Sequence, residues 1–312
     1  MHYLVTGGAG FIGTNLCEEL VRKENKVSVI DNLCISNTNV PFLTDIGVIL
    51  YKKDIINFED IKTCFKGVDV VVHLAAMNRA QRSIEMPLEA NEVNIKGTLN
   101  CLESARQHGV KRFVNISSSS VYANQRDVLL QEDMPLAPPH PYGVGKLAGE
   151  HYARIYNELY GLKTVSLRFF SVYGPRQLGS IDKAGVVAKF IHHAMKDLPL
   201  EIYGDGTQLR NFSYVSDVVR CVLKACEKDE AVGEIINVAN EREVDVNYLA
   251  SVVKRVVGKA VEIKHTTALK GDPSRNPADT KKCEKLLSFT PGLSFEEGVE
   301  KTYEWYKQTT LS

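Results

Sequence analysis

The chain of 312 residues is short of several things, and each shortage excludes a class of protein. It has no net charge, with 38 Lys+Arg against 38 Asp+Glu, so no global field draws it to nucleic acid or to an acidic membrane surface. Its seven cysteines (17, 34, 64, 101, 221, 226, 283) show no CxxC spacing. That odd, scattered set reads as reduced thiols rather than a disulfide framework or a metal site. No apolar run approaches the roughly 18 residues needed to span a bilayer, and no signal peptide precedes the first apolar strand. No repeat or low-complexity tract appears. These absences predict a cytoplasmic protein with no nucleic-acid, membrane or metal site.

What is present is an ordinary globular balance, 44% hydrophobic and 24% charged, arranged with a clear rhythm. Short apolar runs at His2–Val5, Val27–Ile30, Val48–Tyr51, Val68–Leu74, Arg112–Ser117 and Thr164–Phe169 read as strands. Between them Phe11–Lys23, Leu88–His108 and Tyr142–Tyr160 carry helical periodicity. Near-continuous apolar strands alternating with helices predict an α/β fold with a doubly wound parallel sheet of Rossmann type. After Gly174-Pro175-Arg176-Gln177 the rhythm changes. A helix over Ala184–Lys196, strands near Ile235–Val238 and Val261–Lys264, and a last helix over Phe295–Lys307 suggest a smaller α/β lobe. We therefore expect residues 1–175 to form a nucleotide-binding domain and 176–312 mainly a substrate lobe, with later segments returning to the sheet.

Thr6-Gly7-Gly8-Ala9-Gly10-Phe11-Ile12-Gly13 follows the first strand and opens a helix. Gly7 permits the tight turn, Gly10 lets backbone approach a pyrophosphate, and Gly13 packs helix on strand. The helix N-terminus then favours the phosphates. Asp31, at the end of the second strand, would bind ribose hydroxyls and repel a 2′-phosphate, which favours NAD over NADP. Asp54-Ile55, after the third strand, is a weaker signal of the same kind.

Tyr142-Gly-Val-Gly-Lys146 places a phenol and an ammonium on one helix face. A phenol of ordinary pKa about 10 is too weak a base at neutral pH, and a neighbouring cation favours its ionised form. Four serines at 117–120 end the fifth strand, at the carboxyl edge where α/β proteins bind ligands.

The motifs TGGAGFIG, DN at 31–32, HLAA at 73–76, SSSSVY at 117–122, YGVGK and RFFSVYGPRQ at 168–177 resemble the extended short-chain dehydrogenase/reductases. Within these they are most similar to the UDP-glucose 4-epimerase-like, NAD-dependent epimerase/dehydratase family. The resemblance runs over nearly the whole chain. It implies Ser118, Tyr142 and Lys146 as catalytic residues, with Tyr142 the base. It implies an NAD site lined by Gly7, Gly10, Phe11, Ile12, Gly13, Asp31, Asn32, Asp54, Ile55, Leu74, Ala75, Ala76, Asn94, Ser117, Tyr142, Lys146 and Phe170. The implied reaction oxidises C4 of a nucleotide sugar to a transient ketone and reduces it from the opposite face.

The stretch Gly204-Asp-Gly-Thr-Gln208-Leu-Arg210 resembles the family's sugar-nucleotide segment, which implies a pyrophosphate partner in Arg210 and a uracil flanked by Ile202 and Tyr203. Val186, Gln208, Ser118 and Tyr142 join that implied substrate set. Ser171 stands where the family has Asn. Leu269 stands where a second phosphate-binding Arg is usual, which leaves Arg275 or Lys270 to substitute. Arg79 departs from the small polar residues of relatives; it extends to solvent or meets an acidic group on the sugar. Asn276 falls at the position that gates the sugar's C2 substituent, and its small size is expected to admit N-acetyl sugars. The expected function is thus a 4-epimerase of a UDP-hexose or UDP-N-acetylhexosamine.

A UDP-uronate epimerase and another C4-oxidising enzyme (decarboxylase or dehydratase) are the alternatives. A 4,6-dehydratase is disfavoured because Ser118-Ser119-Ser120 supplies neither the acid nor the base that elimination requires. A non-catalytic NAD-binding scaffold would not need the Tyr/Lys pair. Surplus apolar residues on two helices (Leu99, Leu102, Ala105; Leu147, Tyr152, Ile155, Leu159) predict a homodimer.

Overall fold

A computed structural model describes residues 1–122, 128–178, 184–268, 275 and 277–310. Six strands alternate with helices in the first half: β1 His2–Thr6, β2 Lys26–Asp31, β3 Ile49–Lys52, β4 Val70–His73, β5 Arg112–Ser118 and β6 Thr164–Phe169. The helices are α1 Phe11–Arg22, α2 Val40–Asp45, α3 Phe58–Ile61, α4 Ala80–Glu85, α5 Pro87–Asn91, α6 Thr98–Gln107 and α7 Pro141–Tyr160. The second half holds β7 Val172–Tyr173, α8 Val186–Met195, β8 Leu200–Tyr203, β9 Leu209–Asn211, β10 Ser213–Tyr214, α9 Val215–Glu227, β11 Ile235–Val238, β12 Glu243–Asp245, α10 Val246–Val257, β13 Ile263–Thr266, α11 Lys281–Leu287 and α12 Phe295–Thr310.

Seven strands form one parallel sheet in the order β11-β6-β5-β4-β1-β2-β3. Their burial explains their composition. Val70, Val71 and Val72 of β4 are each at most 1% exposed because helices cover both faces. The order in which successive strands are laid down reverses between β1 and β4, so Thr6, Asp31, His73 and Ser118 all lie at carboxyl strand ends around one crevice. A second core gathers Tyr173, Phe190, Leu249 and Phe295 with Val299 in the second half.

The stretch expected to be one helix over 88–108 is interrupted. A π turn over Glu92–Gly97 separates α5 from α6, and Asn94, within it, is buried. Such turns insert a residue into the helical ladder and re-aim a side chain. Leu102 and Ala105 are fully buried in the sheet's core and present no partner face. The exposed apolar residues of this region are Ile84, Met86, Leu88, Val144 and Leu159. No helix among the described residues is long and apolar enough to cross a membrane, and no cluster of three metal-ligating side chains occurs among them.

Candidate active site

A cavity of about 610 Å³ opens at the carboxyl ends of β1, β2 and β4. Its wall includes Gly7, Gly10, Phe11, Ile12, Gly13, Asp31, Asn32, Asp54, Ile55, Leu74, Ala75, Ala76 and Arg79. Gly7 has φ +69°, and a Cβ there would sit 2.7 Å from the Ala75 nitrogen. A side chain would fill the cradle, so glycine keeps it open for a ligand. Gly10 caps α1 without a side-chain bond, leaving the helix N-terminus to the cavity.

Asp31 accepts from the Ala9 N–H at 3.1 Å and from the Leu33 N–H at 2.9 Å. Burial raises its carboxyl pKa, and these bonds oppose the rise. Asn32 donates to Asp54 at 2.8 Å, which ties the ends of β2 and β3 together at the cavity rim. These residues fit an adenine dinucleotide, with phosphates at α1 and a diol at Asp31.

The floor is the segment 74–77, and a chain of buried bonds holds it. The Ala75 N–H donates to Thr6 Oγ1, which bonds His73 Nδ1 at 2.7 Å. His73 Nε2 meets Thr98 Oγ1 at 2.9 Å, and Thr98 Oγ1 donates to the Asn94 carbonyl at 2.8 Å. Asn94 itself receives the Met77 N–H at 2.8 Å and donates to the Met77 carbonyl at 3.1 Å. One N–H and the oxygen of the Asn94 amide therefore clamp the Met77 backbone, which fixes the floor of the cavity.

Ser118, Tyr142 and Lys146 come together where β5 meets α7. The Tyr142 hydroxyl engages the Ser118 side chain. Burial raises the tyrosine's pKa, while Ser118 and the positive charge of Arg79 lower it. Lys146 is 7% exposed and donates to the Ile116 carbonyl at 2.7 Å. Its ammonium lies 5.9 Å from the Tyr142 ring centre. Burial brings its pKa down to about 8, with the negative charge of Glu150 opposing that fall. The Tyr142 N–H donates to Ser83 Oγ at 3.0 Å, which docks α4 on the start of α7. Arg79, just before α4, has φ +84°, a strained conformation for a side chain of its size.

Other sequence assignments are placed differently. Ser117 donates its hydroxyl to Glu150, and Phe170 packs with Tyr122 and Val121 in a buried cluster. Neither is on the cavity wall, and nor are Ser118, Tyr142 and Lys146. Ile202 is fully buried in the second core, so its side chain cannot flank a uracil, a correction to the sequence reading. Tyr203, beside it, is 38% exposed, and Gln208 donates to its carbonyl at 2.9 Å. Val186 is the half-buried first residue of α8. Ser171 is exposed at φ +32° between β6 and β7. Arg210 pairs with Val244 across β9 and β12. Arg275 makes a two-pronged pair with Glu243 of β12, at 2.8 and 2.6 Å, so a phosphate there would compete with a carboxylate. Asn276, Leu269 and Lys270 lie outside the described residues.

Reading the sequence for motifs missed the buried Glu150–Arg168 pair. Its signal was a charged residue four after Lys146 on the same face, and an arginine inside an otherwise apolar strand.

The model of the NAD dependent epimerase/dehydratase family matches residues 3–239. A putative UDP-glucose 4-epimerase of Methanocaldococcus jannaschii is 35% identical over 97% of this chain and 98% of its own length. A UDP-glucuronate 4-epimerase of Thermodesulfobacterium geofontis is 34% identical over 98% of this chain and 96% of its own. Among solved structures, the UDP-N-acetylglucosamine 4-epimerase of Methanobrevibacter ruminantium, in complex with UDP-N-acetylmuramic acid, superposes with a TM-score of 0.93. It is 31% identical, and the match covers 99% of this chain and 98% of that one. With the glycine cradle, Asp31 and the Ser118–Tyr142–Lys146 cluster already in place, this breadth of likeness makes the chain a member of the NAD-dependent epimerase/dehydratase family.

Proposed function

We propose that the protein inverts C4 of a UDP-bound hexose or N-acetylhexosamine by way of a transient 4-keto sugar. The observation that carries the reading is the Ser118–Tyr142–Lys146 cluster at the end of β5, beside an NAD cradle. Gly7, Gly10, Gly13 and Asp31 would hold NAD, which would supply a reversible two-electron acceptor. The protein's own residues manage the proton.

Tyr142 takes the proton of the sugar's 4-hydroxyl, and later returns one. Ser118, beside Tyr142 and favouring its phenolate, orients that hydroxyl. Lys146, still mostly ammonium at neutral pH with a pKa of about 8, favours the phenolate. Arg210 is the candidate for the pyrophosphate, since a planar fork suits that group.

Asn276, by its place in the sequence, sets no bulky barrier to a C2 N-acetyl group. A uronate is the second reading, favoured by Arg79: a cation on the cavity wall, electrostatically coupled to Tyr142.

Incubation with UDP-glucose, UDP-N-acetylglucosamine and UDP-glucuronate, followed by chromatography of the products, tests the proposal. Conversion of the first or second to its 4-epimer, abolished in Tyr142→Phe, is expected. Turnover of the uronate alone, lost in Arg79→Ala, would shift the assignment to the second reading.

A further inference from the structure

One turn beyond Lys146, the same face of α7 buries a carboxylate that the proton chemistry does not use. Glu150 and Arg168 have side chains only 1% exposed. Arg168 Nε and Nη2 donate to the two oxygens of Glu150, each at 2.8 Å. Ser117 also donates to Glu150. Arg168 Nη1 donates to the Tyr122 hydroxyl at 2.7 Å, and that hydroxyl donates to Asn237 at 2.8 Å.

The registration this produces is specific. The Ile116 carbonyl accepts from Lys146, Ser117 donates to Glu150, and Ser118 engages Tyr142. Two consecutive residues at the end of β5 are thus bonded to α7, at positions 146 and 150, and the next, Ser118, adjoins Tyr142. Arg168 is the strand partner of Ser117 on β6, so Glu150 is locked between two neighbouring strands.

We propose that Glu150 is a positioning residue for the Tyr142–Lys146 pair, fixing α7 against β5 and setting a buried carboxylate one helical turn beyond Lys146. The inference rests on the catalytic assignment made under Proposed function. Structural need alone does not account for a buried ion pair, because apolar residues of similar volume usually serve stability as well.

The charges around the pair are few. Lys146 faces Glu150 and Tyr142 on its own helix and His73 from β4. Tyr142 faces Arg79. Glu150 faces Arg168 from β6, and Arg168 also donates to the Glu132 carbonyl. Burial already draws Lys146 down to about 8. Without the Glu150 charge, two buried cations, Lys146 and Arg168, remain, and the ammonium gives up its proton at lower pH.

The test is the pH profile of kcat/KM with UDP-glucose for wild type, Glu150→Asp, Glu150→Gln and the double variant Glu150→Gln/Arg168→Met. The double variant leaves no unpaired guanidinium at position 168 and stands in if Glu150→Gln fails to fold. The alkaline limb is expected to move down by about one pH unit or more in Glu150→Gln, to keep its direction of shift in the double variant, and to stay near wild type in Glu150→Asp. The Lys146 side-chain carbon resonance, assigned with Lys146→Arg, should report the same displacement without turnover. An alkaline limb and a resonance that stay put in the folded charge-free variants would overturn the role of Glu150. Full activity in Tyr142→Phe would instead overturn the catalytic assignment itself.

Discussion

His73 makes the stability of the cofactor floor depend on pH, and the size of the effect follows from its bonds. Thr98 spends its hydroxyl proton on the Asn94 carbonyl, so it can only accept from His73, and Nε2 must carry the ring's proton. Nδ1 is then the acceptor for the Thr6 hydroxyl, whose oxygen in turn takes the Ala75 N–H. The neutral ring satisfies every member of the chain. A second proton on Nδ1 would break the bond to Thr6 and leave a buried cation. Burial, with Lys146 nearby, accordingly pulls the pKa of His73 down to about 3.

A histidine depressed in the folded state gives stability that is complete above its unfolded pKa, about 6.5, and is lost as pH falls toward the folded value. The loss is about 1.4 kcal/mol per pH unit, hence about 2 kcal/mol between pH 6.5 and 5. Asp31, whose pKa is raised, contributes with the opposite sign and is common to the two proteins compared below. The assay is urea unfolding of the NAD-saturated protein at half-unit steps from pH 7.5 to 5. His73→Gln offers an acceptor and a donor without a titratable proton, and should lose about 2 kcal/mol less over that window. His2, His140 and His192 are also depressed, so the difference between the two proteins is the quantity to read. Equal slopes would refute the reasoning.

Gly7→Ala places a Cβ 2.7 Å from the Ala75 backbone in a left-handed conformation, which costs roughly 1–2 kcal/mol before any clash. Lower Tm and loss of co-purified NAD are expected, and an unchanged NAD content would count against the cradle. Asp31→Ser removes the anion that faces the ribose diol, so the ratio of NADP to NAD binding should rise about tenfold or more by calorimetry. A ratio that stays fixed would show that Asp31 does not discriminate. The exposed Leu88, 83% accessible, and Leu159, 71% accessible, lead us to expect a homodimer whose light-scattering mass halves in Leu88→Glu/Leu159→Glu. A monomeric wild type at micromolar concentration would contradict this.

The parts of the fold legible in the sequence were those whose burial is two-sided. Thr164–Phe169 and Ile235–Val238 were placed to the residue, because strands covered on both faces show unbroken apolar runs. Glycine and acid spacing likewise located the cradle. The π turn at Glu92–Gly97 was not legible, since apolar positions at near-helical spacing look alike whether or not one residue is inserted. With it went the role of Asn94. The short strands Leu200–Tyr203 and Leu209–Asn211 were also missed, because each pairs with a single distant partner and carries little periodicity of its own. Ile202 was assigned by motif to a ligand, yet its side chain faces the second core. A motif gives the neighbourhood of a residue, while the alternation of a strand decides which way it points.

The most direct test of C4 inversion through a ketone uses UDP-glucose deuterated at C4. Oxidation and re-reduction by the same retained NAD predicts a 4-epimer that keeps its deuterium, with none released to water and no product from Tyr142→Phe. Washout of the label into solvent, or an epimer formed at an undiminished rate by the phenylalanine variant, would contradict the account.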